Sequence, residues 1–156
     1  MPTSFRLRLR EERDLASLAS LWVASWQEAM PEIDFSARQA WFLEHLATLE
    51  AAGAKTICAF DSAAQLSGFV NVDPATSYLD QLAVAPQAKG QGVAHLLLEA
   101  ARKISPLGLI LEVNQDNPRA LRFYEKEGFV RIEEGLNPRS GLRTWRLHLS
   151  SMSPRS

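Results

Sequence analysis

Residues 82–98 read LAVAPQAKGQGVAHLLL, and they join an apolar strand to a helix through a short glycine loop. Gly90 and Gly92 remove side chains where a backbone has to turn sharply or lie against a ligand. The helix that follows begins with unpaired N–H groups at the positive end of its dipole, and Lys89 adds a charge beside them. The stretch therefore predicts an anion site suited to a pyrophosphate, although glycine needed only for turning explains the same spacing.

Other functions are disfavoured by the loop and by the composition. The loop has neither the Gly-Lys-Ser/Thr end of a Walker A motif nor the Gly-x-Gly-x-x-Gly pattern of dinucleotide-binding proteins. The net charge is −1, without a broad basic field, so we expect no nucleic-acid partner. No apolar run reaches membrane-spanning length, so we expect no membrane partner. The single cysteine, Cys58, and the alternating arginines at the N-terminus indicate a buried thiol in a cytoplasmic protein.

Outward from the loop, hydrophobic periodicity predicts the element order β-α-α-β-β-β-α-β-α-β-β. Residues 5–10 alternate apolar residues with arginine, which indicates a strand with one solvent face. Asp14 is a candidate cap for the first helix, and Ser36 is the first residue of a candidate capping box for the second. The later elements are predicted at 55–60, 66–73, 78–84, 93–104, 109–114, 117–127, 129–134 and 142–149. This order predicts an α+β fold, with one domain over residues 1–149 and a polar tail over 150–156.

A second segment, residues 111–129, reads LEVNQDNPRALRFYEKEGF. Together with the glycine loop it resembles motifs A and B of the GNAT superfamily of acetyl-CoA-dependent N-acetyltransferases. Motif A, Gln/Arg-x-x-Gly-x-Gly/Ala, is matched at 89–94, with lysine at its first position. The core of motif B is matched at Asn117, Ala120, Tyr124, Gly128 and Phe129. The resemblance implies a central mixed, mostly antiparallel sheet flanked by helices on both faces.

The resemblance also implies acetyl-CoA as co-substrate, with no metal. The backbone amides of the glycine loop would hold the pyrophosphate, and the preceding strand would pair with the pantetheine arm. Lys89 would meet a phosphate as a point charge rather than as a planar fork. Asn117 is a helix cap by position, and the resemblance adds a contact with the coenzyme. The implied cofactor-binding residues are Leu82, Ala83, Val84, Lys89, Gly90, Gln91, Gly92, Val93, Ala94, Asn117 and Tyr124.

Acetyl transfer to an amine needs a neutral amine, a stabilised oxyanion and a proton for the leaving thiolate. The resemblance places Tyr124 beside the coenzyme sulfur as the proton donor, and a phenol stays protonated at neutral pH. Packing of the Tyr124 ring among neighbouring phenylalanines is the alternative. Glu112 is the first candidate for the base or its water anchor, because a carboxylate inside so apolar a strand needs a partner or a purpose. Asp80 is its rival.

The acceptor side is implied less specifically. In the family the first two helices and the late hairpin frame the acceptor. Here these elements carry Trp22, Trp26, Glu28, Met30, Phe35, Trp41 and residues 137–143. Helical spacing favours core packing for the two tryptophans of the first helix. The acidic segment 28–35 suits a cationic acceptor. His45 and His148 are isolated, give no metal-ligand spacing and are read as structural or surface residues.

The resulting functional hypothesis is acetyl transfer from acetyl-CoA to a primary amine, chiefly of a small molecule, by direct attack in a ternary complex. A protein N-terminal or lysine acetyltransferase is the alternative within the same chemistry. A non-catalytic acyl-CoA-binding sensor module is the alternative from another class. The identity of the acceptor, the acyl-chain preference and the formation of a homodimer are open at this point.

Overall fold

The computed structural model describes residues 4–151, and its strands and helices follow one another in the predicted order. The strands are β1 Arg6–Leu9, β2 Lys55–Phe60, β3 Leu66–Asp73, β4 Tyr78–Val84, β5 Gly108–Asn114, β6 Val130–Leu136 and β7 Arg143–Ser150. The helices are α1 Leu15–Ala29, α2 Gln39–Ala51, α3 Val93–Ile104 and α4 Pro118–Lys126. Within the described part of the chain, no helix is long and apolar enough to cross a membrane.

The strands form a seven-stranded sheet in the order β1-β2-β3-β4-β5-β7-β6. The neighbouring strands pair antiparallel except β4 and β5, which run parallel. The prediction of a mixed, mostly antiparallel sheet is therefore confirmed. β5 is in register with β7 from Gly108 to Asn114, whereas β4 meets β5 at a single register pair.

Helices cover both faces of the sheet, as predicted. On one face the ring of Phe69 packs edge-on against Phe42 of α2, with ring centroids 5.7 Å apart. On the other face α3 lies against β3 at Gly68, where an added Cβ would come within 3.0 Å of Val93. Gly68 is therefore required by the close approach of the helix. Side chains from both faces are fully buried and include Leu18, Phe42, Leu46, Phe69, Val70, Leu97, Leu98, Leu109 and Leu147.

Asp14 occupies the N-cap position of α1, as predicted, but its side chain forms no capping hydrogen bond with that helix. The Asp14 carboxylate accepts a hydrogen bond from Arg8 Nη1 at 2.7 Å and one from the backbone N–H of Glu11, also at 2.7 Å. Its side chain is buried, and a 3-10 turn over Glu12–Asp14 precedes the helix. The hydrogen bond from Arg8 is the main reason that the pKa of Asp14 lies below its ordinary value. The Asp14 carboxylate therefore links β1 to the start of α1 through hydrogen bonds and does not cap the helix.

The capping box predicted at Ser36 is wrong. Asp34, two residues earlier, caps the 3-10 turn before α2, because its carboxylate accepts a hydrogen bond from the backbone N–H of Ser36 at 3.1 Å. A 3-10 turn over Phe35–Arg38 then leads into α2. The 3-10 turn thus displaces the predicted start of α2, whereas α1 begins at Leu15, directly after the predicted cap.

The alternation near the N-terminus predicts that its arginines face solvent, but the structure shows that not all of them do. Arg10 Nε donates to Glu50 Oε2 at 2.8 Å, and the Thr56 hydroxyl donates to the same oxygen at 2.7 Å. Burial raises the pKa of Glu50, but the hydrogen bonds from Arg10 and Thr56 outweigh it and leave that pKa below its ordinary value. Leu9, predicted to face the core, is 53% exposed.

The described chain also shows where the C-terminal strand ends. Ser150 is the last residue of β7, so the strand extends into the predicted polar tail. Residues 152–156 of that tail lie outside the described residues.

Cys58 is buried as predicted, and burial is the main cause that raises the pKa of its thiol to about 12.

The ion pair between Arg10 and Glu50 is expected to stabilise the fold only while Glu50 is ionised. Because the folded-state pKa of Glu50 is lowered, this stabilisation is fully present above the unfolded-state pKa of about 4.3. It is lost as the pH falls through the folded-state value. We expect Glu50→Gln to cost about 2 kcal/mol near neutral pH and much less in acid.

Urea unfolding of both proteins at neutral and acidic pH measures this difference. Glu12→Gln is the matched control, because Glu12 also approaches Arg10 but its side chain is 90% exposed. A difference between wild type and Glu50→Gln that stayed constant with pH would contradict the assignment.

Candidate active site

A cleft opens where β4 and β5 diverge. The two strands are in register only at Tyr78 and Ile110, and the Ile110 N–H donates to the Ser77 carbonyl at 2.8 Å. Beyond this point β4 is paired with β3 on one side, and it has no register pair with β5 in the described residues. Unpaired backbone groups on an inner strand require another partner. This edge of β4 can therefore bond to an extended ligand.

The cleft has a volume of about 430 Å³ and brings together five of the predicted site residues. Tyr124 and Asn117 come from α4, Glu112 comes from β5, and Asp80 and Leu82 come from β4. The remaining walls are formed by Trp26, Trp41, His45, Tyr78, Leu79, Gln81, Leu111, Val113, Asn114, Ala120, Asn137, Pro138, Arg139 and Thr144. The candidate acid and both candidate bases thus share one space.

The glycine loop and the last two residues of β4 are not part of the cleft wall. The predicted cofactor-binding residues outside it are Ala83, Val84, Lys89, Gly90, Gln91, Gly92, Val93 and Ala94. The side chain of Val93 is buried in the core. Val93 can therefore reach a ligand only through its backbone amide.

The backbone at the start of α3 has the free donors that an anion site requires. Gly90 has φ +79° and Gly92 has φ +84°, and no atom lies within 4 Å of a Cβ placed at either residue. Gly92 is the N-cap of α3 and offers no capping side chain. The first intrahelical hydrogen bond runs from the Leu96 N–H to the Gly92 carbonyl at 3.2 Å. The preceding amides of the first turn have no helical acceptor and face no side-chain competitor at the cap.

Lys89 has a partner in this structure. Its ammonium forms an ion pair with the carboxylate of Glu28 on α1, and both side chains are exposed. Glu28, which the sequence placed beside the acceptor, therefore lies against the loop instead. The pair offsets much of the charge that Lys89 was predicted to offer a phosphate.

The geometry of Tyr124 is compatible with both alternatives from the sequence, ring packing and a hydroxyl that faces a ligand. Its ring packs edge-on against Phe123 and Phe129, with centroids 5.1 and 5.3 Å away. Its hydroxyl forms no hydrogen bond with any residue from 4 to 151, and the side chain lines the cleft. Burial raises the pKa of Tyr124 above its ordinary value. The phenol is therefore protonated at neutral pH, with its hydroxyl available to a ligand.

Glu112 is not the buried carboxylate that its apolar strand predicted. Its neighbours Leu111 and Val113 are buried, whereas Glu112 is exposed on the opposite face of β5. Arg146 on β7, directly across the ladder, donates to Glu112 Oε1 at 3.3 Å. The period of two along a strand accounts for this placement. Glu112 remains in the cleft, but as an ion-paired group.

Asp80 is paired with a residue that the sequence analysis set aside. Asp80 Oδ2 lies 2.7 Å from His45 Nε2. The His45 ring stacks on Trp41, with centroids 4.7 Å apart. His45 is therefore not an isolated residue. Its position four residues after Trp41 on α2 was the signal that could have found it, because such residues share a helix face.

Tyr78 is a second cleft residue that the sequence analysis missed. It lies two positions before Asp80 on β4, and both residues line the cleft although a register irregularity between Leu79 and Gln81 interrupts the alternation of the strand. Burial raises the pKa of Tyr78 to about 12, and the negative charges of Glu112 and Asp80 add to this effect. Glu112 and Asp80 therefore bring negative charge close to Tyr78, and Arg146 offsets part of it.

Only some of the residues predicted to frame the acceptor line the cleft. Trp26, Trp41 and residues 137–139 line the cleft. Trp22 and Phe35 are buried and pack edge-on with centroids 5.8 Å apart. Core packing is thus right for Trp22, whereas Trp26 is only half-buried and reaches the cleft. No residue of the acidic segment 28–35 lines the cleft within the described chain.

Two other features lie away from these residues. A groove of about 780 Å³ runs along α1, lined by arginines 6, 8 and 13 and by Ser17 and Gln87, and it contains none of the predicted site residues. In residues 4–151 one group, His95, Glu99 and Glu127, has potential metal-ligand atoms within 4.8 Å of one another, and it lies outside the cleft.

Sequence comparison finds relatives over part of the chain. The peptidyl-lysine N-acetyltransferase YjaB of Salmonella typhimurium strain LT2 is 40% identical over 52 residues, which are 33% of this chain and 35% of that protein. The peptidyl-lysine N-acetyltransferase YiaC of Escherichia coli strain K12 is 32% identical over 81 residues, which are 52% of this chain and 54% of that protein. The matches thus span about a third and about half of these relatives.

Structure comparison finds the same fold at low identity. The PaiA N-acetyltransferase of Thermoplasma acidophilum, solved in complex with coenzyme A, has a TM-score of 0.76 at 19% identity. The comparison covers 94% of this chain and 99% of that one. The spermidine N-acetyltransferase of Vibrio cholerae, solved with coenzyme A and spermine, has a TM-score of 0.67 at 22% identity, covering 94% and 95% of the two chains.

A family model described as the acetyltransferase (GNAT) domain matches residues 33–147. This range includes the glycine loop, α4 and every residue that lines the cleft except Trp26. The chain belongs to the GNAT acetyltransferase family.

Proposed function

We propose that this protein transfers the acetyl group of acetyl-CoA to a primary amine by direct attack in a ternary complex. The observation that carries the proposal is the free hydroxyl of Tyr124 in the cleft that also contains Glu112 and Asp80. A proton donor and two carboxylates in one space supply what thioester aminolysis requires. A module that only binds an acyl-CoA has no use for this combination.

The coenzyme is expected to lie along the edge of β4 that β5 leaves free. The backbone of Leu82–Val84 would pair with its amide-containing arm, and the amides at Gly90–Ala94 would hold its pyrophosphate. Three features support this placement: the left-handed glycines, the open space beside them and the glycine N-cap of α3. Asn117 contributes first as a cap, because its side chain accepts a hydrogen bond from the Ala120 N–H at 3.2 Å.

Tyr124 is proposed as the general acid. The neutral amine attacks the thioester carbonyl carbon, so that a C–N bond forms and the C–S bond breaks. The leaving sulfur takes the proton of the Tyr124 hydroxyl. The nitrogen then gives its surplus proton to the phenolate, directly or through water, which restores the acid. The raised pKa of Tyr124 favours the phenol form that begins this sequence.

A primary amine of a small molecule is the proposed acceptor class. The cleft has aromatic walls at Trp26 and Trp41 and acidic groups at its floor, a combination that suits an alkyl chain ending in an ammonium group. A protein lysine ends in the same chemistry, and it is the second candidate because both partial-length relatives are peptidyl-lysine N-acetyltransferases.

Release of free coenzyme A with a panel of acceptors tests the proposal. The panel contains simple alkylamines, polyamines, aminoglycosides, a lysine-containing peptide and a peptide with a free N-terminus. Turnover on small amines is the expected result. Turnover confined to the lysine peptide selects the second candidate, and coenzyme binding without turnover on any acceptor supports a sensor module.

Gly92→Val is expected to abolish measurable acetyl-CoA binding in calorimetry. Valine would place methyl groups in the open space in front of the α3 amides, where the pyrophosphate is proposed to lie. Gly141→Val is the matched control, because Gly141 has φ +74° and equally open surroundings in the β6–β7 turn. Both variants carry similar backbone strain, so a folded Gly92→Val with wild-type affinity would remove the anion-site assignment.

Tyr124→Phe is expected to lower kcat by a factor of about 10²–10⁴, the usual range for loss of a general acid. The ring contacts with Phe123 and Phe129 remain, so stability and acetyl-CoA affinity should change little. Tyr78→Phe is the control for loss of another cleft hydroxyl. Steady-state kinetics with thermal unfolding measures both effects, and wild-type turnover in the Tyr124 variant would return this residue to packing alone.

A further inference from the structure

His45 and Asp80 form a close pair across the cleft, one on α2 and the other on β4. His45 Nε2 and Asp80 Oδ2 are 2.7 Å apart, and Gln81 Nε2 donates to the same oxygen at 3.1 Å. The side chains are 23% and 18% exposed, so both are largely desolvated yet still reachable from the cleft. Within the described residues Asp80 Oδ1 forms no hydrogen bond. The pair therefore has capacity left for a ligand.

Aromatic and charged side chains from α2, the β6–β7 turn and the neighbouring strands surround the pair. On its own helix His45 stacks on Trp41, and Arg139 of the β6–β7 turn lies 4.1 Å from the centre of that ring. From the strands, Tyr78 and Glu112 face the same space. Arg146 contacts Glu112 at 3.3 Å and Glu133 at 3.7 Å, so its charge is directed at other carboxylates.

Asp80 makes the immediate surroundings of the pair favourable for a cation, whereas the positive charge of Arg139 lies over the Trp41 ring. Tyr78 is neutral, Glu112 is already neutralised in part by Arg146, and Asp80 is left with a histidine as its partner. Imidazole is the side chain that exchanges a proton most readily near neutral pH. Asp80 and His45 are therefore better suited than Glu112 to take a proton from a bound ammonium group and pass it on.

We infer, resting on the proposed acetyl transfer, that His45 and Asp80 together accept the proton of the acceptor, which binds as an alkylammonium ion. With the proton of neutral His45 on Nε2 and donated to Asp80, Nδ1 carries the lone pair. One N–H bond of the ammonium breaks, and its proton moves to Nδ1, directly or through one water. The electron pair stays on the amine nitrogen, which then attacks the thioester. The imidazolium remains paired with Asp80 and returns its proton to solvent after transfer.

His45→Gln tests this role, because glutamine can keep an N–H donor for Asp80 but cannot carry the extra proton. We expect kcat/KM for a strongly basic alkylamine to fall about 100-fold near neutral pH. Acetyl-CoA affinity should stay within about twofold, because no residue of the pair belongs to the glycine loop. His95→Gln is the matched control, since His95 also contacts a carboxylate, that of Glu127 at 2.8 Å, but lies outside the cleft.

A weakly basic aromatic amine, used as the acceptor, distinguishes a role of His45 in proton transfer from a role in packing alone. Such an acceptor is already neutral near pH 7 and has no proton to give, so the loss caused by His45→Gln should shrink to a few-fold. The acidic limb of the kcat/KM profile for the alkylamine should also change in this variant and stay unchanged in His95→Gln. Equal losses of kcat/KM with both amines would show that His45 only packs in the wall of the cleft. No loss with either amine would show that His45 has no role in the reaction.

A binding measurement keeps the inference testable if wild type acetylates no amine, an outcome that would defeat the proposed function by itself. NMR signals of the imidazole rings are followed while butylammonium chloride is added. A shift at His45 that is absent at His95 and is lost in Asp80→Asn supports the cation site. An unchanged His45 signal in the wild type would overturn it.

Discussion

The contact between β4 and β5 at Tyr78 and Ile110 is the constraint on which the rest of the site depends. Each strand is held firmly on its other side, β4 by β3 and β5 by β7. The two halves of the sheet are therefore well formed, and they meet at one point and diverge from it. A cleft made in this way follows from the strand pairing itself.

The same divergence separates two chemically opposite environments. At the C-terminal end of β4 the chain presents backbone N–H donors at a helix N-terminus, with glycines that keep the approach open. On the cleft walls it presents acidic groups, an imidazole and aromatic rings. The first environment suits an anion and the second suits a cation, as expected for a protein that brings a phosphate-bearing donor to an ammonium-bearing acceptor. Tyr124 lies in the cleft, where the two substrates would meet.

Much of the fold could be predicted from local signals. The bounds of α3 follow from Gly92 and an amphipathic repeat, and the start of α4 follows from Asn117 and the proline after it. The start of α2 could not be read, because a short 3-10 turn capped by Asp34 precedes it. The hydrogen bonds of the Asp14 side chain could not be read either, because they depend on the tertiary contact with Arg8.

The site was predicted less completely, since its key pairs join distant parts of the chain. His45 and Asp80 are 35 residues apart, and nothing local in the sequence links them. Glu112 was misjudged because apolar neighbours were taken to mean burial, although the period of two puts alternate residues of a strand on opposite faces. The cap at Asn117 and the turn at Gly90 and Gly92 were predictable, because a helix cap and a glycine loop depend on local backbone geometry.

A crystal structure of the complex with acetyl-CoA tests most directly whether the divergence of β4 and β5 forms the coenzyme site. The account predicts the pantetheine arm between these strands, bonded to the backbone of residues 82–84, with the pyrophosphate at the amides of residues 90–94. The thioester sulfur should lie within hydrogen-bonding reach of the Tyr124 hydroxyl. A coenzyme bound elsewhere, with Tyr124 remote from its sulfur, would contradict the account.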